Sequence, residues 1–157
     1  MENKQLVIDY KEFGSIDELI PKDRELLENA IEAVRGSYAP YSHFNVGAAV
    51  RLRNGLIIKG ANQENAAYPS GLCAERTAMF SASSRYPNEA FEAIAVVASQ
   101  NGKLQPSPSY PCGACRQVMA QYEIKWSRKL KIIIGSAGKI QVFDSVSGLM
   151  PFIFNDI

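Results

Sequence analysis

Three cysteines constrain this chain more than any other residues do. Cys73 stands in Cys73-Ala74-Glu75-Arg76, and the other two stand in Pro111-Cys112-Gly113-Ala114-Cys115-Arg116. The 157-residue chain has no further cysteine. If all three serve one metal, the fold must bring these two distant segments together. Three soft thiolates suit Zn²⁺, and three protein ligands leave one tetrahedral position open. That position holds water, whose pKa Zn²⁺ lowers toward neutrality. Glu75 lies two residues after the first thiolate, close enough to face the metal and awkwardly placed for a fourth ligand. It is therefore the candidate proton shuttle.

The rest of the composition narrows the function classes. The length suits one domain with a real hydrophobic core. Formal net charge is +1 and no Lys/Arg run stands out, so nothing argues for nucleic-acid binding. No apolar stretch approaches bilayer-spanning length, and the first residues lack the continuous apolar core of a signal peptide. Three cysteines without an export signal favour a reducing compartment and metal or redox chemistry over disulfides. The expected location is the cytoplasm.

Periodicity supplies the elements. Residues 1–20 read as an N-terminal extension, with a short edge strand over residues 5–10. A helix is expected over 21–35, where Leu26, Leu27, Ala30, Ile31 and Val34 recur at helical spacing between Pro21 and Gly36. A hairpin follows, with strands over 44–52 and 56–61 joined by Asn54-Gly55. Helices are expected over 73–84 and 112–122. Apolar strands are expected over 93–98, 130–134 and 140–143, with a loop over 101–111. This order predicts an α/β protein whose mixed sheet carries helices on both faces.

Both cysteine groups fall at helix starts, where the backbone dipole offsets thiolate charge and lowers thiol pKa. Arg76 and Arg116 are candidates to donate hydrogen bonds to a thiolate sulfur and tune the metal; the alternative, open above all for Arg116, is a solvated helix residue. Glu75 in isolation is an ordinary first-turn carboxylate; beside a three-ligand site the proton-shuttle reading prevails. A lone CxxC also fits a redox site or structural zinc. The redox reading leaves Cys73-Ala74-Glu75 unexplained. Structural zinc needs a fourth ligand, and the only histidine, His43, reads better as a solvated loop residue.

Four segments together resemble the small cytidine deaminases. They are Tyr38-Ala39-Pro40-Tyr41-Ser42-His43-Phe44-Asn45-Val46-Gly47-Ala48-Ala49, Asn62-Gln63-Glu64-Asn65-Ala66-Ala67-Tyr68, and the two cysteine motifs. The resemblance runs from Pro21 to Phe154. It implies a three-layer fold with a five-stranded mixed central sheet, residues 21–157 as the catalytic unit, and a homotetramer with shared active sites. It implies one Zn²⁺ per chain on Cys73, Cys112 and Cys115, with Glu75 moving protons. It places Asn62 and Glu64 on the ribose and Phe44 against the pyrimidine. The Ala74 N–H and the Tyr110 carbonyl would contact the base. Ala66 and Tyr68 would border a neighbouring subunit's pocket, and Phe154 would close one. The implied reaction is hydrolysis of cytidine and 2′-deoxycytidine to the uridines and ammonia, in pyrimidine salvage.

Two regions depart from the family pattern. The extension before Pro21 is long, and Gln105-Pro106-Ser107-Pro108-Ser109-Tyr110 replaces the usual short approach to the second cysteine motif. The second departure bears on the pocket rim. Rival readings are a deaminase of another cytosine nucleoside such as blasticidin S, a polynucleotide editor, and a non-catalytic structural-zinc module. Asn62, Glu64 and Phe44 argue against the first, near-neutral charge against the second, and the missing fourth ligand against the third.

Overall fold

The computed structural model describes residues 1–155, so the last two positions of the expected 21–157 unit lie outside the described residues. Helix α1 (Pro21–Ala33) begins with proline in its first turn, where the absent N–H costs no helical bond. Strands β2 (Phe44–Leu52) and β3 (Ile57–Ala61) form the expected hairpin. Its turn depends on Gly55 at φ 89°, a left-handed conformation open to glycine. Helix α2 (Ala74–Arg85), strand β4 (Phe91–Gln100), helix α3 (Gly113–Trp126) and strands β6 (Lys131–Gly135) and β7 (Ile140–Phe143) complete the expected series.

With β1 (Lys11–Phe13) at one edge, the sheet order is β1-β7-β6-β4-β2-β3, with β4 and β6 parallel across the α3 connection and the other pairs antiparallel. Seven strands replace the expected five. The two additions are β1 (Lys11–Phe13), on the edge of β7, and the two-residue β5 (Lys103–Leu104), which folds back on Ser99 and Gln100. The edge strand expected over residues 5–10 is displaced to 11–13. Leu6, Val7 and Ile8 alternate poorly and stay exposed, whereas Phe13 packs against the core. Pairing partners decide strand position, and a local pattern of three residues carries little information about them.

Helices cover both faces. Ala49, Ala93, Ala95, Val97 and Ile133 pack toward α1, whereas Ala48, Val50, Ile94, Val96 and Ile132 pack with α2 and α3 residues. Successive residues of one strand thus enter opposite cores, which explains the continuous apolar runs. Each fully buried large aliphatic contributes about 1.5–3 kcal/mol. Two glycines set the helix heights. A Cβ on Gly47 would strike the backbone of Ala30 in α1 and of Val34 just after it, and one on Gly60 would lie 2.8 Å from the Ala74 carbonyl. Gly60 therefore lets the first turn of α2 sit directly on β3, which fixes where Cys73 and Glu75 stand.

Candidate active site

Cys73 caps the N-terminus of α2 and Cys112 that of α3, with Cys115 in the first turn of α3. Neither cap side chain accepts a hydrogen bond from the backbone N–H groups of its own helix. The thiol sulfurs converge instead. Cys73 Sγ lies 3.8 Å from Cys112 Sγ, and Cys112 Sγ lies 3.6 Å from Cys115 Sγ. All three ligand atoms lie within 4.8 Å of one another. Tetrahedral ligation at a Zn–S distance of about 2.3 Å spaces sulfurs by about 3.8 Å. The three residues fit zinc in spacing and in donor chemistry.

Sulfurs this close repel one another once ionised. Hydrogen bonding with Cys115 and then Arg76 holds the Cys73 thiol down at about 5 against the opposing effect of burial. The same bond to Cys73, together with burial, pushes the Cys115 thiol up. Arg76 Nη2 donates to Cys73 Sγ at 3.6 Å, the contact expected for that residue. Arg116 behaves differently. Its Nε donates to the Pro111 carbonyl at 2.7 Å and its Nη1 to the Leu149 carbonyl at 2.5 Å. It ties the second cysteine motif to the C-terminal segment, and this replaces the sulfur contact expected of it. Glu75 is 4% exposed. Burial, with Cys73 charge adding to it, pushes its carboxyl up to about 7. A carboxyl in that range exchanges protons readily near neutral pH.

The cluster forms one wall of an open cleft of about 680 Å³. Phe44, Val46 and Val96 supply apolar lining, Asn62 and Glu64 supply polar lining, and Tyr68 and Tyr110 stand among the lining residues. Asn62 is already held by the fold. Its Oδ1 accepts from Ser37 Oγ and from the Val46 N–H, and its Nδ2 donates to the Phe44 carbonyl at 2.8 Å. One Nδ2 hydrogen remains for another acceptor. Glu64 Oε2 accepts from the Tyr41 and Ser42 N–H groups at 2.9 and 3.2 Å, and its Oε1 accepts from Ser42 Oγ. The Ser42 bond leads in holding this carboxyl below its usual range. Ser42 and Tyr41 were not singled out by sequence reasoning; their place just before Phe44 in the first motif was the available signal.

Of the other expected residues, Tyr68 lines the cleft, whereas Ala66, Ala74 and Phe154 are not among its lining residues. Ala74 is wholly buried, and Ala66 is exposed. Tyr68 lies in the turn Tyr68–Ser70, edge-on to Tyr41 with ring centroids 6.4 Å apart. Phe154 is 65% exposed and does not line the cleft of its own chain; its carbonyl accepts from Gln117 Nε2 at 2.9 Å. His43 is left-handed at φ 54° and lies outside the sulfur cluster.

Comparison with known proteins agrees with this geometry. Residues 20–128 match the family described as the cytidine and deoxycytidylate deaminase zinc-binding region. A cytidine deaminase of Halalkalibacterium halodurans is 46% identical over 134 residues, covering 84% of this chain and 94% of that one. The crystal structure of a cytidine deaminase from Burkholderia pseudomallei superposes with a TM-score of 0.70 at 39% identity, covering 83% of this chain and 97% of that one. A cytidine deaminase structure from Mycobacterium tuberculosis gives a TM-score of 0.66 at 31% identity, covering 83% and 95%. This chain, with its cysteine triad and three-layer fold, belongs to the zinc-binding cytidine and deoxycytidylate deaminase family.

Proposed function

We propose that the protein hydrolyses cytidine and 2′-deoxycytidine to the corresponding uridines and ammonia. The buried Glu75 beside a zinc-competent thiolate triad, at the wall of a cleft roomy enough for a nucleoside, carries this reading. Cys73, Cys112 and Cys115 would hold zinc, which would supply the Lewis acidity that makes water a nucleophile at neutral pH. Glu75 takes a proton from the attacking water and delivers it to N3 of the pyrimidine as the water oxygen bonds to C4; it then carries the remaining hydroxyl proton to the C4 amino group, and the C4–N bond breaks to release ammonia. Phe44 stacks on the base, and the Ala74 N–H and Tyr110 carbonyl orient it. Asn62 and Glu64 bind the ribose, with the carboxylate preset by Ser42 and Tyr41. Arg76 moderates the charge of Cys73. Residues 21–157 form the catalytic unit, to which residues 1–20 are appended, and the enzyme works in the cytoplasm in pyrimidine salvage.

The test is ammonia release from a panel of cytidine, 2′-deoxycytidine, cytosine, blasticidin S and adenosine, with zinc measured on the same sample. Turnover of the two cytidines with about one zinc per chain supports the reading. Exclusive turnover of blasticidin S, or of no compound, refutes it.

The assembly is a homotetramer in which tails complete neighbouring pockets. Phe152 and Phe154 are exposed, Tyr68 stands exposed at the cleft, and the cleft is open to solvent in the single chain. Exposed apolar groups clustered near a site mark contacts. Refolding a chain lacking residues 150–157 together with a Glu75→Gln chain should recover activity that neither has alone. No recovery in verified mixed oligomers overturns this assembly.

A further inference from the structure

The two regions that depart from the family pattern, the N-terminal extension and residues 105–110, meet through one polar side chain. Strand β7 reads Ile140-Gln141-Val142-Phe143, and all four residues are buried. Ile140 and Val142 join the core under α1, and Phe143 joins the opposite core. Gln141 shares the Phe143 face of the strand and is only 7% exposed. A buried amide on an apolar strand must find partners, and Gln141 has one on each side. Its Oε1 accepts from the Tyr110 phenol at 2.6 Å, and its Nε2 donates to Glu12 Oε2 at 2.9 Å. Glu12 is the direct cross-strand partner of Gln141 in the β1·β7 ladder. Its other oxygen accepts from Lys139 Nζ at 2.9 Å.

The loop has few other restraints at this end. Its start is held by Gln105, whose N–H donates to the Ala98 carbonyl and whose carbonyl accepts from the Ala137 N–H. Among the described residues, the hydrogen bond that holds residues 107–110 is the one from the Tyr110 phenol. Tyr110 lines the cleft and leads directly into Pro111 and Cys112.

We propose that the N-terminal extension sets the cleft rim: Glu12 holds Gln141, Gln141 holds the Tyr110 phenol, and Tyr110 thereby presents its backbone to the bound base. Glu12 and Gln141 are positioning residues, and neither touches substrate. The inference rests on the deaminase reading, in which the Tyr110 backbone faces the pyrimidine. A misplaced rim weakens ground-state binding and leaves the proton transfers at Glu75 intact, so KM moves and kcat does not.

Steady-state ammonia release from cytidine is to be measured for the zinc-loaded full chain, Gln141→Leu, Tyr110→Phe, their double variant and Glu12→Ala. Hydrogen exchange is followed in the same proteins on peptides spanning residues 105–111. Loss of one buried hydrogen bond predicts a rise in KM of about 3–10-fold for Gln141→Leu and for Tyr110→Phe. Their kcat and zinc content should stay near wild type. The double variant should be no worse than the poorer single variant, because both cut the same link. Glu12→Ala should raise KM less, by about 2–3-fold, since Glu12 itself is exposed and solvent weakens its bonds. Exchange over residues 105–111 should quicken in every variant. If Gln141→Leu fails to fold, Tyr110→Phe, which removes a single oxygen, decides the matter. An unchanged KM with unchanged loop exchange, or fully additive losses in the double variant, overturns the proposal. A wild-type chain that deaminates no nucleoside refutes the deaminase reading instead, and loop exchange then decides the relay alone.

Discussion

Two clusters of buried charge lie at different places on this sheet, and they solve the same problem in opposite ways. Near the start of α1, Arg51 Nη2 donates to Asp23 Oδ1 at 3.0 Å and its Nε to Glu92 Oε2 at 3.1 Å. Lys131 Nζ reaches the second oxygen of Asp23 at 2.8 Å, and Lys22 Nζ reaches Glu92 at 2.6 Å. Two carboxylates meet three cations, so every buried charge has an opposite partner from the chain itself. At the helix starts, three sulfurs and the Glu75 carboxyl meet the single guanidinium of Arg76. Fully ionised, that group lacks positive charge. The first cluster is closed by its own residues and stabilises; the second is completed by a divalent cation and does chemistry. Buried charge alone did not separate them; the sign of the imbalance and the softness of the donors did.

Cutting each cluster should therefore break different observables. Cys112→Ala has the largest expected effect: zinc is lost, activity falls to background, and stability drops with the metal. Retention of full zinc by metal analysis would remove Cys112 from the ligand set. Glu75→Gln comes next. The amide keeps the shape and cannot accept a proton, so zinc stays and turnover falls by at least about 10²–10⁴-fold. A variant keeping a tenth of wild-type turnover points to another proton carrier.

Arg51→Ala should show the reverse signature. It strands Asp23 and Glu92 with lost partners at a site where Asp23 is nearly inaccessible, which typically costs about 3–5 kcal/mol. Denaturant unfolding should report that loss, whereas zinc per folded chain and KM stay unchanged. A loss of zinc in this variant would show that the two clusters are coupled through the sheet. Glu64→Ala is the smallest change, with KM raised about tenfold by loss of a carboxylate–ribose contact, and with zinc and kcat kept. Unaltered KM would release Glu64 from the sugar and leave it as a clamp on the Tyr41–Ser42 turn.

How far each feature could be read depended on the range of its cause. The hairpin was legible because Asn54-Gly55 carries its turn chemistry within two residues, and Gly55 adopts the required positive φ. Helix α1 was legible from Leu26, Leu27 and Ala30, all buried where the 3.6-residue period placed them. Strand β1 was misplaced because three residues owe their state to the open edge of β7 and not to their own pattern. Arg116 was misassigned for a related reason. Its position one residue past Cys115 suggested a sulfur partner, but its guanidinium reaches the Leu149 carbonyl, which only the folded tail brings near.

Sequence alone determined the chemistry available to this protein: three thiolates, one adjacent glutamate, and the motifs that carry the deaminase resemblance. These are properties of residue type and short spacing, and they survive any arrangement of the chain. Tertiary structure decided which of those groups meet. Gly60 seats the first turn of α2 on β3, and the α3 crossover delivers Cys112 and Cys115 beside Cys73. It also decided that Asn62 bonds Ser37, Val46 and Phe44, and that Gln141 joins Glu12 to Tyr110. Partners separated by tens of residues meet only after strand register is set, and register is a collective property of the packed sheet.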